Sequence, residues 1–168
     1  DGTKSFISGV PLFGTIICLC KNRCPLFGAI HRPALNEWIV GDGLKTLCNG
    51  RRVSCRLPGS ISEATLLTSD EADVGRYRNY DNWLNLSKKI KFSRTWGDCY
   101  GYYLVATGRA DIMADPIVSP WDIFGIVPIL EGSGAKVTTW KGECVMGGNS
   151  ALASHPAIHP DIVACLNE

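Results

Sequence analysis

The chain opens on Asp1-Gly2-Thr3-Lys4-Ser5-Phe6, a carboxylate followed at once by a flexible residue and a hydroxyl. A turn of this kind can aim a carboxylate at a cation while bare backbone N–H groups and the Thr3 hydroxyl face an anion. Asp-Gly is also an ordinary turn dipeptide, and spacing alone leaves both readings open. A second group, Ser119-Pro120-Trp121-Asp122, precedes an apolar run over residues 123–127. Ser119 suits an N-cap, Pro120 the first helical position, and Asp122 the third, where negative charge complements the helix dipole. This is either a capping arrangement or a carboxylate fixed at a helix start as a ligand for a hard cation.

The elements that must position these residues fall into two halves. Residues 15–19, 27–31, 37–40 and 64–68 are short β-rich runs punctuated by Gly, Pro and Asn, and they suggest antiparallel strands. From Gly75 onward, helical patterns over 77–89, 98–106, 120–131 and 156–166 alternate with strands over 110–114 and 135–139, which points to a layered α/β arrangement. Pro128 should kink or shorten the 120–131 helix, because it removes a backbone donor. With 168 residues, 45% of them hydrophobic and 20% charged, the chain can bury one core. We therefore expect a single domain over 1–168, with a β-rich part of a first sheet in 1–74 and an α/β part in 75–168.

Seventeen basic against sixteen acidic residues give a formal charge of +1, so no overall field gathers nucleic acid or an acidic membrane surface. A small molecule is the expected partner. The longest apolar stretch, residues 10–20, is interrupted by Pro11, Gly14 and Thr15 and falls short of the ~20 residues of a membrane span. No secretory leader pattern opens the chain, and position 1 is Asp rather than Met, so the polypeptide is expected to start upstream. The eight cysteines are scattered and several sit in apolar runs, which favours a reducing cytoplasm over secretion. The one tight group, Cys18, Cys20 and Cys24, lacks a second pair at zinc-ligand spacing and reads as core and turn. His31, His155 and His159 belong to no nucleophile pattern, and no G-x-S-x-G elbow, P-loop or G-x-G-x-x-G is present. Lys88, Lys89, Lys91 and Arg94 near Trp83, Phe92 and Trp96 read as a solvated helix edge.

Taken in order, Asp1-Gly2-Thr3, Gly97-Asp98, the segment Ala106-Thr107-Gly108-Arg109-Ala110-Asp111 and Trp121-Asp122 resemble the inositol monophosphatase family. Asp1-Gly2-Thr3 matches the second half of that family's Asp-Pro-x-Asp-Gly-Thr motif, and Trp121-Asp122 matches its later Trp-Asp motif. The resemblance implies an αβαβα sandwich of the sugar-phosphatase type, here its C-terminal part. It also implies a phosphomonoesterase in which Mg²⁺ ions bridge carboxylates and the substrate phosphate while water attacks phosphorus in line. By position, Asp1 and Asp122 become metal ligands, the amides of Gly2 and Thr3 hold phosphate oxygens, and Asp1 and the Thr3 hydroxyl serve catalysis. Residues 1–9, Gly97-Asp98-Cys99-Tyr100-Gly101-Tyr102 and residues 115–122 look most like the histidinol-phosphate phosphatase branch, which acts in histidine biosynthesis. That likeness makes Asp98 and Asp115 substrate-binding candidates, since two carboxylates suit the cationic amine of histidinol. Asp98 reads equally as a helix cap. Inositol 1-phosphate is the alternative substrate, and a homodimer is an assembly the resemblance allows.

The family's site also uses an upstream Glu and the first Asp of Asp-Pro-x-Asp, and neither has a counterpart in these residues. The resemblance therefore implies that the 168 residues alone bind Mg²⁺ poorly and hydrolyse phosphate esters near background. It implies too that one face of the first sheet lacks its cover. A relative that keeps the fold and binds a phosphorylated ligand or a partner subunit without catalysis is the rival expectation.

Overall fold

The computed structural model describes residues 1–168. After a short helix α1 (Thr3–Ile7), five strands form an antiparallel meander in sequence order: β1 (Thr15–Lys21), β2 (Cys24–Arg32), β3 (Glu37–Gly41), β4 (Thr46–Cys48) and β5 (Arg51–Val53). A second sheet takes β6 (Thr65–Leu67), β7 (Phe92–Arg94), β8 (Ile112–Asp115), β9 (Lys136–Thr138) and β10 (Ala151–Ser154) in the order β7-β6-β8-β10-β9. In it β6 runs parallel to β7 and β8, and β10 antiparallel to β8 and β9. Six further helices complete the chain: α2 (Glu71–Tyr77), α3 (Tyr80–Lys89), α4 (Asp98–Ala106), α5 (Pro120–Ile123), α6 (Val127–Gly132) and α7 (His159–Asn167).

Strand periodicity divides the core in two. Along β8, Ile112 and Ala114 join Leu66, Leu152, Trp83 and Ile162 in a cluster that includes residues of α3 and α7, whereas Met113 joins Leu67, Ala151 and Ala153 beside α4 and α6. Because α4 packs on β8 and β10 and α6 packs on β2, β3 and β9, both helices are sandwiched between the sheets. The layers therefore run sheet, helices, sheet, helices, in keeping with the layered α/β expectation. The outward residues of the first sheet, Ile17, Leu19, Phe27 and Trp38, are exposed. The same alternation carries Asp115, at the end of β8, to the α4 side.

Two expected elements differ from those observed, and a third breaks near Pro128 as expected. The strand expected over 64–68 is β6, but it pairs in parallel with β7 and β8, so the division between the sheets falls before Thr65 rather than at residue 74. The partners of β6 lie far downstream, and local alternation carries no information about them. The helix expected over 77–89 is α3 and starts later, at Tyr80, because Asn79 caps it by accepting from the N–H groups of Asp81 and Asn82, and α2 ahead of it was not expected. The 120–131 helix splits, with Pro128 in the first turn of α6.

Asp111 braces the entry to β8. Its buried carboxylate accepts from Arg56 Nε and Nη2 at 2.6 and 2.7 Å and from the Thr65 N–H at 2.8 Å, so it ties the loop after β5 to β6. The first sheet approaches the segment after Asp122 through two glycines. A Cβ on Gly28 would lie 1.8 Å from the Gly125 carbonyl oxygen, and one on Gly125 would lie 2.5 Å from Ile16 Cγ2. Gly28→Ala must therefore push β2 and the α5–α6 turn apart, and overpacking of this kind costs about 2 kcal/mol. Urea unfolding should show that loss in the Gly28→Ala protein, whereas a midpoint equal to that of the parent would mean the sheet yields freely here.

Candidate active site

A cleft of about 600 Å³ lies where the parallel strands β6 and β8 end and where α4 and α5 begin. Ligand sites in open α/β sheets favour this position at the carboxyl ends of strands. All six residues singled out from sequence, Asp1, Gly2, Thr3, Asp98, Asp115 and Asp122, line it.

Gly2 turns the chain from Asp1 into α1 with φ 81°, and a Cβ there would lie 2.9 Å from the Leu12 carbonyl oxygen. A left-handed backbone and a close approach thus both call for glycine. The Asp1 carboxylate accepts a hydrogen bond from the Cys99 N–H, which joins the first turn of the chain to the first turn of α4. The N–H groups of Thr3 and of the residues after it open α1 and have no intrahelical acceptor.

Asp98 opens α4 at φ 52°, a backbone conformation that favours Gly and, among other residues, Asn and Asp. It is not the cap that sequence allowed, since Gly97 holds that position and no side chain caps the helix. Its own N–H donates to Ser69 Oγ at 2.7 Å. Its carboxylate, half-buried and without a hydrogen-bond partner in the chain, is raised above the usual Asp range by burial, and the Asp122 charge adds to the shift. A strained backbone that presents an unpartnered carboxylate to a cleft is the arrangement expected of a ligand contact.

Asp115 is placed differently. It is 4% exposed, with Oδ1 accepting from the Ser69 N–H and Oδ2 from the Tyr102 hydroxyl, each at 2.9 Å. Burial pushes its carboxyl up to about 6 against the lowering effect of those two donors. Asp122 is both cap and cleft residue. Its Oδ2 accepts from the Ser119 N–H at 2.9 Å, which anchors the carboxylate at the start of α5.

Sequence reasoning missed Ser69 and Tyr102 as site residues. Ser69 follows the apolar Leu66-Leu67 and precedes the α2 cap Asp70, a strand-to-helix junction that sequence can show. Its link to Asp98 joins the Ser69 hydroxyl to a backbone N–H far along the chain, a donor that leaves no mark in residue type.

As a cation site the cleft has the right chemistry and few ligands. Six aspartates and one lysine line it, with no Cys or His, so the donors are oxygens of the kind a hard divalent ion takes. No three Asp, Glu, His or Cys side chains are grouped so as to hold an ion by themselves. Asp1 and Asp122 fit such an ion as two ligands of a larger set.

A model of the inositol monophosphatase family matches residues 1–168. The chain is 38% identical over 163 residues to "Bifunctional phosphatase IMPL2, chloroplastic" of Arabidopsis thaliana, an alignment that covers 92% of this chain and 45% of that protein. It is 32% identical over 168 residues to a histidinol-phosphatase of Chlorobaculum parvum, covering 99% of this chain and 65% of the relative. The chain thus spans between about half and two thirds of the length of these relatives. Among solved structures, an inositol monophosphatase from Zymomonas mobilis superposes with a TM-score of 0.93 at 26% identity, over 100% of this chain and 68% of that one.

The raised Asp115 carboxyl has a consequence for stability. Its ordinary value is 3.8 and its folded value about 6, so folding favours the protonated form. The stability this gives is complete below about pH 4 and is lost as pH rises through 6, a change of roughly 3 kcal/mol. Asp115→Asn removes the titration, while Tyr102 can turn to accept from the amide. In metal-free urea unfolding, the variant should gain on the parent by roughly that amount between pH 4 and pH 7. A difference that does not change with pH would show that Asp115 does not titrate in this range.

Proposed function

The chain belongs to the inositol monophosphatase family, and from that premise we propose that its acidic cleft serves the magnesium-dependent hydrolysis of a small phosphate monoester, with L-histidinol phosphate as the best-suited substrate. The observation that carries this reading is the Asp98 carboxylate, which has no partner within the chain and stands in an oxygen-lined cleft. The amino end of histidinol supplies the cation that such a group lacks.

Asp1 and Asp122 would hold Mg²⁺. When bound, the ion lowers the pKa of water and offsets the charge of the phosphate. The chain's own groups do the remaining work. The N–H groups of Gly2 and Thr3 donate to phosphate oxygens, and the Thr3 hydroxyl orients the attacking water. The Cys99 N–H ties the Asp1 carboxylate to the start of α4. Asp98 pairs with the substrate amine, and Asp115 holds Ser69 and Tyr102 in place beside it. Inositol 1-phosphate, a neutral polyol ester, would gain less from Asp98. No helix of the chain is long and apolar enough to cross a membrane.

The grouping of fewer than three ligand side chains favours a second reading, in which these residues bind a phosphorylated ligand without catalysis. One experiment separates the two. The chain is assayed for phosphate release with Mg²⁺, alone and joined to the corresponding upstream segment of the Chlorobaculum parvum relative. The catalytic reading expects activity in the joined protein and background in the chain alone. In the joined protein Asp122→Asn should abolish most turnover, because an amide keeps the helix cap and loses the charge that holds a divalent ion. Asp98→Asn should lower kcat/KM on L-histidinol phosphate roughly 10- to 100-fold more than on inositol 1-phosphate, the loss of one charge-assisted contact. Background activity in a folded joined protein would support the binding reading, and equal losses on both substrates would remove Asp98 from specificity.

A further inference from the structure

Outside the cleft, two thiols meet on the edge strand β1, where Cys18 Sγ and Cys20 Sγ are 3.2 Å apart. Cys20 is exposed and Cys18 is half-buried. Neither residue lines the cleft. We propose that Cys18 and Cys20 form a reversible dithiol–disulfide pair that exchanges with small, carboxylate-bearing disulfides, with Cys20 as the entry thiol and Cys18 as the resolving thiol.

The geometry permits the bond. Two residues of strand span about 6.4–6.8 Å, at the long end of the Cα separation a disulfide accepts. A disulfide is about 2.05 Å long, so the sulfurs need approach by only about 1.2 Å more. The register with β2 shifts between Leu19 and Cys20, so the strand is already irregular between the two thiols. A bridge at the long end of the range is held less firmly than an unstrained one, which makes it reversible.

Exposure and charge set the order of events. Cys20 is the thiol a reagent can reach. Lys21 and Arg23, both exposed at the tip of the β1–β2 hairpin, draw carboxylates towards it. The Cys18 thiol is pushed up to about 12 by burial, and further by its hydrogen bond to Cys20 and the Cys20 charge. It therefore stays protonated while Cys20 is free. The Cys20 thiolate attacks one sulfur of the small disulfide, forms a mixed disulfide and expels one small thiolate, which takes up the proton Cys20 gave. With the Cys20 charge gone, Cys18 ionises more readily, attacks the Cys20 sulfur and expels the second small thiol. Two protein thiols are oxidised, and one small disulfide is reduced to two thiols.

The test uses oxidised glutathione on the 168-residue chain, followed by alkylation of the remaining thiols, trypsin and mass spectrometry. Cleavage after Lys4 and Lys21 leaves Cys18 and Cys20 in one peptide without any other cysteine, and Cys24 begins another. We expect that peptide to lose two hydrogens and carry no glutathione, and a monothiol reductant to restore it. Cys18→Ser should trap glutathione on Cys20, Cys20→Ser should react much more slowly, and Cys24→Ser should behave as the parent. Glutathione that persists on Cys20 in the parent, a bridge from Cys20 to Cys24, or equal reactivity of the Cys18→Ser and Cys20→Ser proteins would overturn the assignment.

Discussion

Ser69 stands where β6 ends, and two hydrogen bonds at this one residue hold the cleft together. Its N–H donates to the buried Asp115 carboxylate at the end of β8, and its hydroxyl oxygen accepts from the Asp98 N–H at the start of α4. A strand end, a neighbouring strand end and a helix start are thereby fixed to one another. Gly97 lets this happen, because a Cβ there would lie 2.1 Å from Ser69 Cα. The backbone strain at Asp98 is the cost of the same closeness. From α4 the Cys99 N–H reaches back to Asp1, so the first turn of the chain inherits its position from this junction.

The second constraint is electrostatic. Asp1, Asp70, Asp73, Asp98, Asp115 and Asp122 share one cleft with Lys4, and the Lys4 ammonium lies 3.6 Å from Asp70. Burial raises the carboxyls of Asp98 and Asp115, while a backbone N–H anchors one oxygen of Asp122 and one of Asp1. A cleft arranged in this way holds its negative charge in place without neutralising it, and a divalent cation relieves that repulsion better than any side chain present. The proposed role of the cleft rests on this balance between rigid backbone anchors and uncompensated charge.

Much of this was legible in sequence where residue type and local pattern suffice. The helix over 98–106 is α4; Asp1, Asp98, Asp115 and Asp122 come from the motifs that resemble the family, and all four line the cleft. What escaped was non-local. The placement of β6 depends on parallel partners far downstream. The two readings of Asp98, cap or ligand contact, were inseparable on spacing. In three dimensions the cap reading falls, because Gly97 is the cap and the Asp98 side chain has no partner in the chain.

Whether Asp1 and Asp122 together hold a divalent cation is read out by anomalous X-ray diffraction from crystals of the joined protein soaked in Mn²⁺, which substitutes for Mg²⁺ on oxygen ligands. A manganese peak is expected beside the carboxylates of Asp1 and Asp122, weakened by competing Mg²⁺ and absent from Asp122→Asn crystals. A peak seated on Asp70 and Asp73, or one that persists undiminished in Asp122→Asn, would contradict that expectation.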